Sequence, residues 1–204
     1  MDFASRYAVG GDLLEVGCGT GLLLRRFAKV AKSARGIDLS PGMLEKARER
    51  GLDVTTGSAT DLPFPDASFD VTCSFKVLAH VPDIEKALRE MARVTRPHGA
   101  VIAEFYNPYS LRGLVKRFGP AGAISEKTNE SAVYTRFDSP FRVAKLLPPG
   151  WRIAASRGVR IVTPAAVAFK LPLLRKTLTM TEWALADSPL SVFGGFWLAA
   201  ITKS

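Results

Sequence analysis

Residues 13–24, LLEVGCGTGLLL, decide the fold. An apolar run is followed by three glycines at alternate positions and then by a second apolar run. Residues 12–16 are typical of a buried strand that stops at Gly17, and residues 22–32 have apolar side chains at helical spacing. A glycine-rich turn between a strand and a helix lets the backbone approach a ligand closely, and that ligand is commonly a nucleotide.

The alternation of strand and helix continues beyond this stretch. Further strands are predicted at residues 34–38, 53–56, 69–75 and 100–105, and further helices at residues 41–51 and 83–95. Strands and helices that alternate at this spacing predict an α/β fold with a parallel sheet and helices on both of its faces. In such a sheet the ligand binds beyond the carboxyl ends of the strands, where the glycine turn lies.

The spacing of the glycines excludes two common loops. A triphosphate-binding loop needs a lysine after its last glycine, whereas Leu22 follows here. A dinucleotide-binding loop has the pattern G-x-G-x-x-G, whereas this one is G-x-G-x-G with Glu15 two residues ahead of it. Asp38 ends the second predicted strand, where it is well placed to bond two adjacent ribose hydroxyls. Dinucleotides and other ribose-containing ligands share that feature, and no phosphate is required.

Together with four later stretches, the glycine turn resembles class I S-adenosylmethionine-dependent methyltransferases. The four stretches, in chain order, are residues 36–44 (GIDLSPGML), 61–70 (DLPFPDASFD), 77–83 (VLAHVPD) and 87–99 (ALREMARVTRPHG). The pattern is most similar to the methyltransferase type 11 family, a small-molecule branch that includes ubiquinone and menaquinone biosynthesis methyltransferases. The resemblance implies a Rossmann-like, seven-stranded, mostly parallel sheet whose last strand is antiparallel, and S-adenosylmethionine as cofactor.

The resemblance also implies where the methionine end and the ribose of the cofactor lie. Glu15 orients either the glycine turn or the amino group of the methionine part, and Asp38 takes both ribose hydroxyls through charge-assisted bonds. The methionine part is bordered by the backbone of the turn and of the segment after the fourth strand, namely Gly17, Cys18, Gly19, Gly21, Phe75 and Lys76.

On the adenine side, the resemblance implies that Leu39 and Met43 pack on the ring. Ser58 stands where the family usually has an Asp that accepts a hydrogen bond from the adenine amino group, and a hydroxyl accepts that bond more weakly. The backbone N–H of Ala59 can still donate to the ring. No group of residues has metal-ligand spacing, so no metal is expected.

His80 is the candidate catalytic base, because it is one of only two histidines and lies at the expected mouth of the site. Methyl transfer from a sulfonium depends mainly on positioning, but a hydroxyl or phenol nucleophile benefits from a base. The alternative is a loop histidine that packs against the protein or caps the helix beginning near Asp83. The sequence leaves both interpretations open.

We interpret residues 1–204 as a single methyltransferase domain, with a cofactor-binding half at 12–105 and a substrate-covering half at 106–204. The second half contains an insertion at 106–133. Its predicted helices are residues 111–118, 139–147 and 164–186, and its predicted strands are residues 151–156 with 158–162, and 193–202. Tyr106, Tyr109 and Tyr134 either line an aromatic acceptor pocket or pack ordinarily. Only about a dozen residues precede the first strand, which predicts a more open cofactor cleft than relatives have.

The charge of the chain is unevenly distributed. Residues 1–104 carry 14 Lys and Arg against 14 Asp and Glu, whereas residues 105–204 carry 14 against five. A basic face suggests an anionic partner such as an acidic substrate or a membrane surface, or else serves solubility. We expect a cytoplasmic enzyme that methylates a small apolar or quinone-like acceptor at oxygen or carbon, with peripheral contact to an anionic membrane and homodimerisation as open options. An RNA methyltransferase and a non-catalytic cofactor-binding protein are the alternatives, although nucleic-acid binding is disfavoured because no RNA-binding module is present.

Overall fold

The computed structural model describes residues 2–110, 123–125, 128–129, 134–162 and 172–204. Most of its strands form one seven-stranded sheet with the order β3-β2-β1-β4-β5-β9-β8, and β6 and β7 form a separate hairpin. The strands are β1 (Asp12–Val16), β2 (Ser33–Asp38), β3 (Asp53–Thr56), β4 (Phe69–Ser74), β5 (Thr95–Tyr106), β6 (Ala123–Ser125), β7 (Thr128–Asn129), β8 (Trp151–Val159) and β9 (Phe196–Lys203).

Strand direction confirms the predicted architecture. Strands β1 to β5 pair in parallel, while β9 is antiparallel to both of its neighbours, β5 and β8. The carboxyl ends of β1, β2, β4 and β5 therefore meet at one edge of the sheet, together with the start of β9. The site is built at this edge, and the fold is the Rossmann-like α/β fold that the sequence predicts.

Helices surround the sheet, and short side chains cap several of them. The helices are α1 (Asp2–Ala8), α2 (Leu24–Phe27), α3 (Pro41–Glu49), α4 (Ile84–Val94), α5 (Pro140–Leu146) and α6 (Pro172–Ala186), with short 3-10 helices at Leu78–His80 and Pro189–Phe193. Ser40 accepts a hydrogen bond from the backbone N–H of Met43 at the start of α3. Asp83 does the same for Lys86 at the start of α4.

Two apolar clusters cover the two faces of the sheet. Because successive strand residues point to opposite faces, Leu14 belongs to one cluster and its neighbour Leu13 to the other. The first cluster includes the buried face of α4, from Ile84 to Met91. The second includes Phe27 of α2 and further side chains of α1 and α3. Each Val, Leu, Ile, Phe or Met side chain that is fully buried in these clusters stabilises the fold by about 1.5–3 kcal/mol.

The predicted helix at residues 22–32 is wrong over most of its length, since α2 spans only Leu24–Phe27. Beyond Ala28 the N–H of Val30 donates to the carbonyl of Phe27, only three residues back, as in a 3-10 turn. Bonds to the residues before β1 then replace helical ones: the carbonyl of Val30 accepts from Gly10, and Lys32 donates to Gly11. Tertiary hydrogen bonds thus end a helix whose apolar pattern continues.

Other boundaries differ from those predicted. Helix α1 was not predicted, β5 begins at Thr95 rather than at residue 100, and β9 begins at Phe196, after the 3-10 turn Pro189–Phe193. The apolar Phe3, Ala4 and Ala8 bury α1 against the second cluster. The predicted helix at residues 111–118 and the part of the predicted helix at residues 164–171 lie outside the described residues.

Candidate functional site

The three glycines of the turn between β1 and α2 meet different requirements. All three have a positive φ, which an L side chain rarely adopts. A Cβ at Gly17 would overlap with the side chain of Val77, and one at Gly21 would overlap with Leu52. A Cβ at Gly19 would meet only the Met43 sulfur, at 3.5 Å. Gly17 and Gly21 are therefore required by close packing, while the backbone at Gly19 stays accessible.

Asp38 joins the glycine turn to the start of α3. Its Oδ2 accepts a hydrogen bond of 2.8 Å from the backbone N–H of Gly19, and its Oδ1 accepts one of 2.9 Å from Ser40. Each carboxylate oxygen keeps a further lone pair for a ligand. The side chain is therefore held in one orientation at the carboxyl end of β2, with an acceptor available on each oxygen for two neighbouring hydroxyls.

Glu15 is a buried carboxyl with an unmet hydrogen-bonding capacity. Its side chain is 2% exposed, and its Oε2 has no hydrogen-bond partner among the described residues. Burial is the main reason that the pKa of this carboxyl is raised to about 8; a hydrogen bond from the backbone N–H of Leu24 opposes the rise, and the negative charge of Asp38 adds to it. A buried acceptor oxygen beside the glycine turn suits a cationic group such as an ammonium.

A cleft of about 400 Å³ opens at this edge of the sheet. Asp38 and Leu39 line it on the β2 side, and Ser58 and Ala59 line it beyond β3. Val77 and the segment from His80 to Asp83 close the other side. The cleft thus brings the predicted ribose and adenine positions together with the predicted base, which lies on a different loop.

The residues that the sequence predicts at the adenine differ in exposure and in hydrogen bonding. The side chains of Leu39 and Met43 are 70% and 47% exposed, so both present apolar surface to solvent at the carboxyl end of β2 and the start of α3. The hydroxyl of Ser58 already lies 2.9 Å from that of Thr60 and accepts the N–H of Thr60 at 3.2 Å. Ser58 is therefore partly occupied by its own turn, while Ala59 lines the cleft.

Cys18, Phe75 and Lys76 can reach the cofactor position only through their backbone. Cys18 packs into the core against Gly36, and burial raises the pKa of its thiol to about 12. The ring of Phe75 stacks on Phe27 with centroids 6.0 Å apart. The ammonium of Lys76 lies 5.7 Å from the ring centroid of Phe196. The sequence predicted backbone contacts at these positions, and their roles stay predictions.

His80 has a defined hydrogen bond, and it does not cap a helix, since Asp83 caps α4. Its Nδ1 lies 2.8 Å from the backbone carbonyl of Tyr134. A carbonyl only accepts, so Nδ1 carries the proton and donates it. In the neutral ring, Nε2 then holds the lone pair, which is the form that a general base requires. The imidazole lines the cleft, and its ring lies edge-on to Tyr106.

An aromatic cluster next to His80 was only partly predicted. Tyr106, at the end of β5, lies with its ring centroid 6.0 Å from that of His80 and 5.2 Å from that of Phe196. Phe137 also contacts Tyr106. The sequence predicted an aromatic pocket from Tyr106, Tyr109 and Tyr134. Of these three, Tyr106 takes part in the ring contacts of this cluster. Phe196 could have been found only by its place at the start of the strand paired with β5.

The comparisons with known proteins find methyltransferases, the class that the glycine turn and the two acids predict. Residues 14–103 match the family model described as a methyltransferase domain. A demethylmenaquinone methyltransferase from Mycobacterium marinum is 44% identical over 109 residues, which cover 52% of this chain and 47% of that protein. A malonyl-[acyl-carrier protein] O-methyltransferase from Serratia marcescens is 39% identical over 95 residues, which cover 46% and 37%.

Among solved structures, a methyltransferase of Thermotoga maritima has a similar fold. The TM-score is 0.68 at 24% identity, and the match covers 99% of this chain and 86% of that one. Over residues 14–103 the chain is thus similar in sequence to methyltransferases, and over nearly its whole length it is similar in fold to a solved one. The chain spans less than half the length of these two curated relatives.

Proposed function

We propose that this chain transfers the methyl group of S-adenosylmethionine to an oxygen or carbon atom of a small, flat, largely apolar acceptor. The observation that carries the proposal is the cleft that Asp38 and His80 line together. On one side of the cleft Asp38 offers acceptors for a ribose. On the other side His80 offers a ring nitrogen to the hydroxyl of an acceptor. The homology to a demethylmenaquinone methyltransferase supports a quinone-like ring as acceptor.

The residues of the site suit S-adenosylmethionine. The unpartnered Oε2 of Glu15 provides an acceptor for the methionine ammonium, and Asp38 provides two for the ribose hydroxyls. The exposed side chains of Leu39 and Met43 offer apolar surface to the adenine. When bound, the cofactor supplies an electrophilic methyl group on a sulfonium. The glycine turn and these acids hold it in one orientation, and such positioning can lower a barrier by about 7–11 kcal/mol.

His80 is the residue that we propose as base. Its Nε2 accepts the proton of an acceptor hydroxyl, while its Nδ1–H stays bonded to the carbonyl of Tyr134. That carbonyl also stabilises the imidazolium after proton transfer, because it continues to accept the Nδ1 proton. Tyr106 packs edge-on against the imidazole and limits its rotation.

The test of the proposed function is a calorimetric titration of the purified chain with S-adenosylhomocysteine, the demethylated product. We expect a dissociation constant in the micromolar range, roughly 8 kcal/mol of binding free energy. Binding that is absent at millimolar ligand would contradict the proposal and favour a non-catalytic protein. Affinity for RNA that falls steeply with salt would instead favour the RNA methyltransferase alternative.

Replacing His80 with asparagine tests the proposed base. The asparagine amide can still donate to the carbonyl of Tyr134, but it offers no basic nitrogen to the acceptor. We expect methyl transfer to a naphthol or to reduced demethylmenaquinone to slow by about 100-fold. Binding of S-adenosylhomocysteine should be unchanged, which separates loss of the base from loss of the fold. A variant with an undiminished rate would show that His80 only anchors the segment at Tyr134.

We further propose a peripheral contact between the chain and an anionic membrane surface. No helix in the described part of the chain is long and apolar enough to cross a membrane. Within α6, Met180 and Trp183 are large apolar side chains that are 64% and 60% exposed, and Lys176 lies exposed on the same helix. Such a combination of apolar and basic groups suits the interface of a membrane. Homodimerisation stays a prediction.

A further inference from the structure

We infer that the acceptor carries an acidic group, a carboxylate on its aromatic ring, which Lys76 and Arg160 bind beside Phe196. This inference rests on the proposed function and names the substrate class of the same site. The ammonium of Lys76 lies 5.7 Å from the centroid of the Phe196 ring, and the guanidinium of Arg160 lies 5.6 Å from it. Both distances are those of cation–π contacts, so two cations contact the same buried ring.

The two cations lie at the same edge of the sheet as the cleft. Lys76 directly precedes Val77, which lines the cleft. Arg160 follows the end of β8, and Phe196 begins β9, where it pairs with Tyr106 of β5. From His80, one ring contact of 6.0 Å leads to Tyr106, and a second of 5.2 Å leads to Phe196. A row of rings thus connects the proposed base with the cation pair.

The Glu182 carboxylate lies near Arg160, but its oxygens accept the backbone N–H groups of Ile161 and Val162. Among the described residues, neither Lys76 nor Arg160 forms an ion pair, although many other cations of the chain do. Two cations on one ring repel each other, and a bound sulfonium would add a third positive charge nearby. An acceptor with a carboxylate removes this repulsion. A neutral acceptor leaves it in place.

Backbone strain gives a second, independent observation. Among the described residues, only three other than glycine have a positive φ, and Lys76 (+59°) and Arg160 (+58°) are two of them. Such conformations cost about 1–3 kcal/mol each and persist where a functional geometry requires them. The strain bends two separate loops so that their cations reach the same ring. Arg160 is further fixed because its carbonyl accepts the N–H of Gly195.

The carboxylate is not the atom that is methylated. Two cations on the nucleophile itself would lower its electron density and slow its attack on the methyl group. The row of rings instead separates the cations from His80, which suits a flat acceptor with a hydroxyl or a nucleophilic carbon at one end and the carboxylate at the other. Lys76 and Arg160 are therefore specificity-determining residues, and the proton is removed elsewhere.

The test compares two probes of equal ring size, 6-hydroxy-2-naphthoate and neutral 2-naphthol, in calorimetric titrations of the full chain saturated with S-adenosylhomocysteine. We expect the acid to bind about tenfold more tightly than the naphthol, and this preference to shrink at high salt. The double variant Lys76→Gln with Arg160→Gln should lose the preference and keep its affinity for the naphthol. Lys76→Arg retains the charge and should retain the preference.

Lys29→Gln removes an exposed cation far from the cleft, in the turn after α2, and serves as the matched control. Equal affinities of the two probes for the unmodified chain would overturn the inference, as would failure of both to bind. A loss of both probes in the double variant would also overturn it, because it would indicate damage to the pocket. Absence of S-adenosylhomocysteine binding would instead overturn the proposed function itself, and the acceptor inference with it.

Discussion

Replacing Asp38 with alanine is expected to weaken the binding of S-adenosylhomocysteine by about 100-fold or more. The variant lacks the charge-assisted bonds from the carboxylate to the ribose, which are worth about 1.5–3 kcal/mol each. The N–H groups of Gly19 and Ser40, which donate to this carboxylate at 2.8 and 2.9 Å, also lose their acceptor. Loss of these two bonds frees the glycine turn and the start of α3, so the site must be ordered again when the ligand binds.

A calorimetric titration of the variant measures this loss, and Asp53→Ala is its matched control. Asp53 is an exposed acid on the neighbouring strand β3, where it pairs with Arg35 at 2.9 Å and does not line the cleft. The control should bind the ligand as the unmodified chain does. Thermal unfolding of both variants separates a local change at the turn from a general loss of stability. Unchanged affinity in the Asp38 variant would mean that the ribose binds elsewhere.

The positions of Asp38 and the glycines could be predicted because they depend on local structure. A strand that stops at a glycine, and an acid at the end of the next parallel strand, reach the same sheet edge in any fold of this topology. The required glycines follow from contacts that the sequence does not show directly, such as that of Gly17 with Val77. Their spacing alone was sufficient to identify the turn, while the role of each residue stays a prediction.

The extent of α2 could not be predicted, because it is decided by bonds between segments. Apolar spacing continues to Val30, but the carbonyl of Val30 accepts from Gly10, which lies before β1. The cation pair was missed for a similar reason. Lys76, Arg160 and Phe196 are far apart in the chain and meet only when β8 and β9 join the sheet. Residue spacing along the chain does not predict such a long-range contact.

Replacing Glu15 with glutamine is expected to remove a loss of stability that the unmodified chain undergoes as the pH rises to about 8. Burial raises the pKa of this carboxyl from 4.5 to about 8 in the folded chain. Between these values the folded state keeps a proton that the unfolded state releases, so the free energy of unfolding falls as the pH rises. The total fall is on the order of 5 kcal/mol and is complete above about pH 8. Glutamine does not ionise, so the variant lacks this fall.

Denaturant unfolding of both proteins, at about pH 5 and about pH 8.5, measures the difference. Contributions of other titrating groups cancel when the two profiles are subtracted, and parallel profiles would contradict a raised pKa for Glu15. The same carboxyl links stability to ligand binding. An ammonium bound at Oε2 favours the ionised form, so S-adenosylhomocysteine should release a proton from the unmodified chain near pH 7, and the Glu15→Gln variant should release none. The dependence of the calorimetric enthalpy on the buffer reports that proton, and its absence would mean that Glu15 orients the turn without receiving the ammonium.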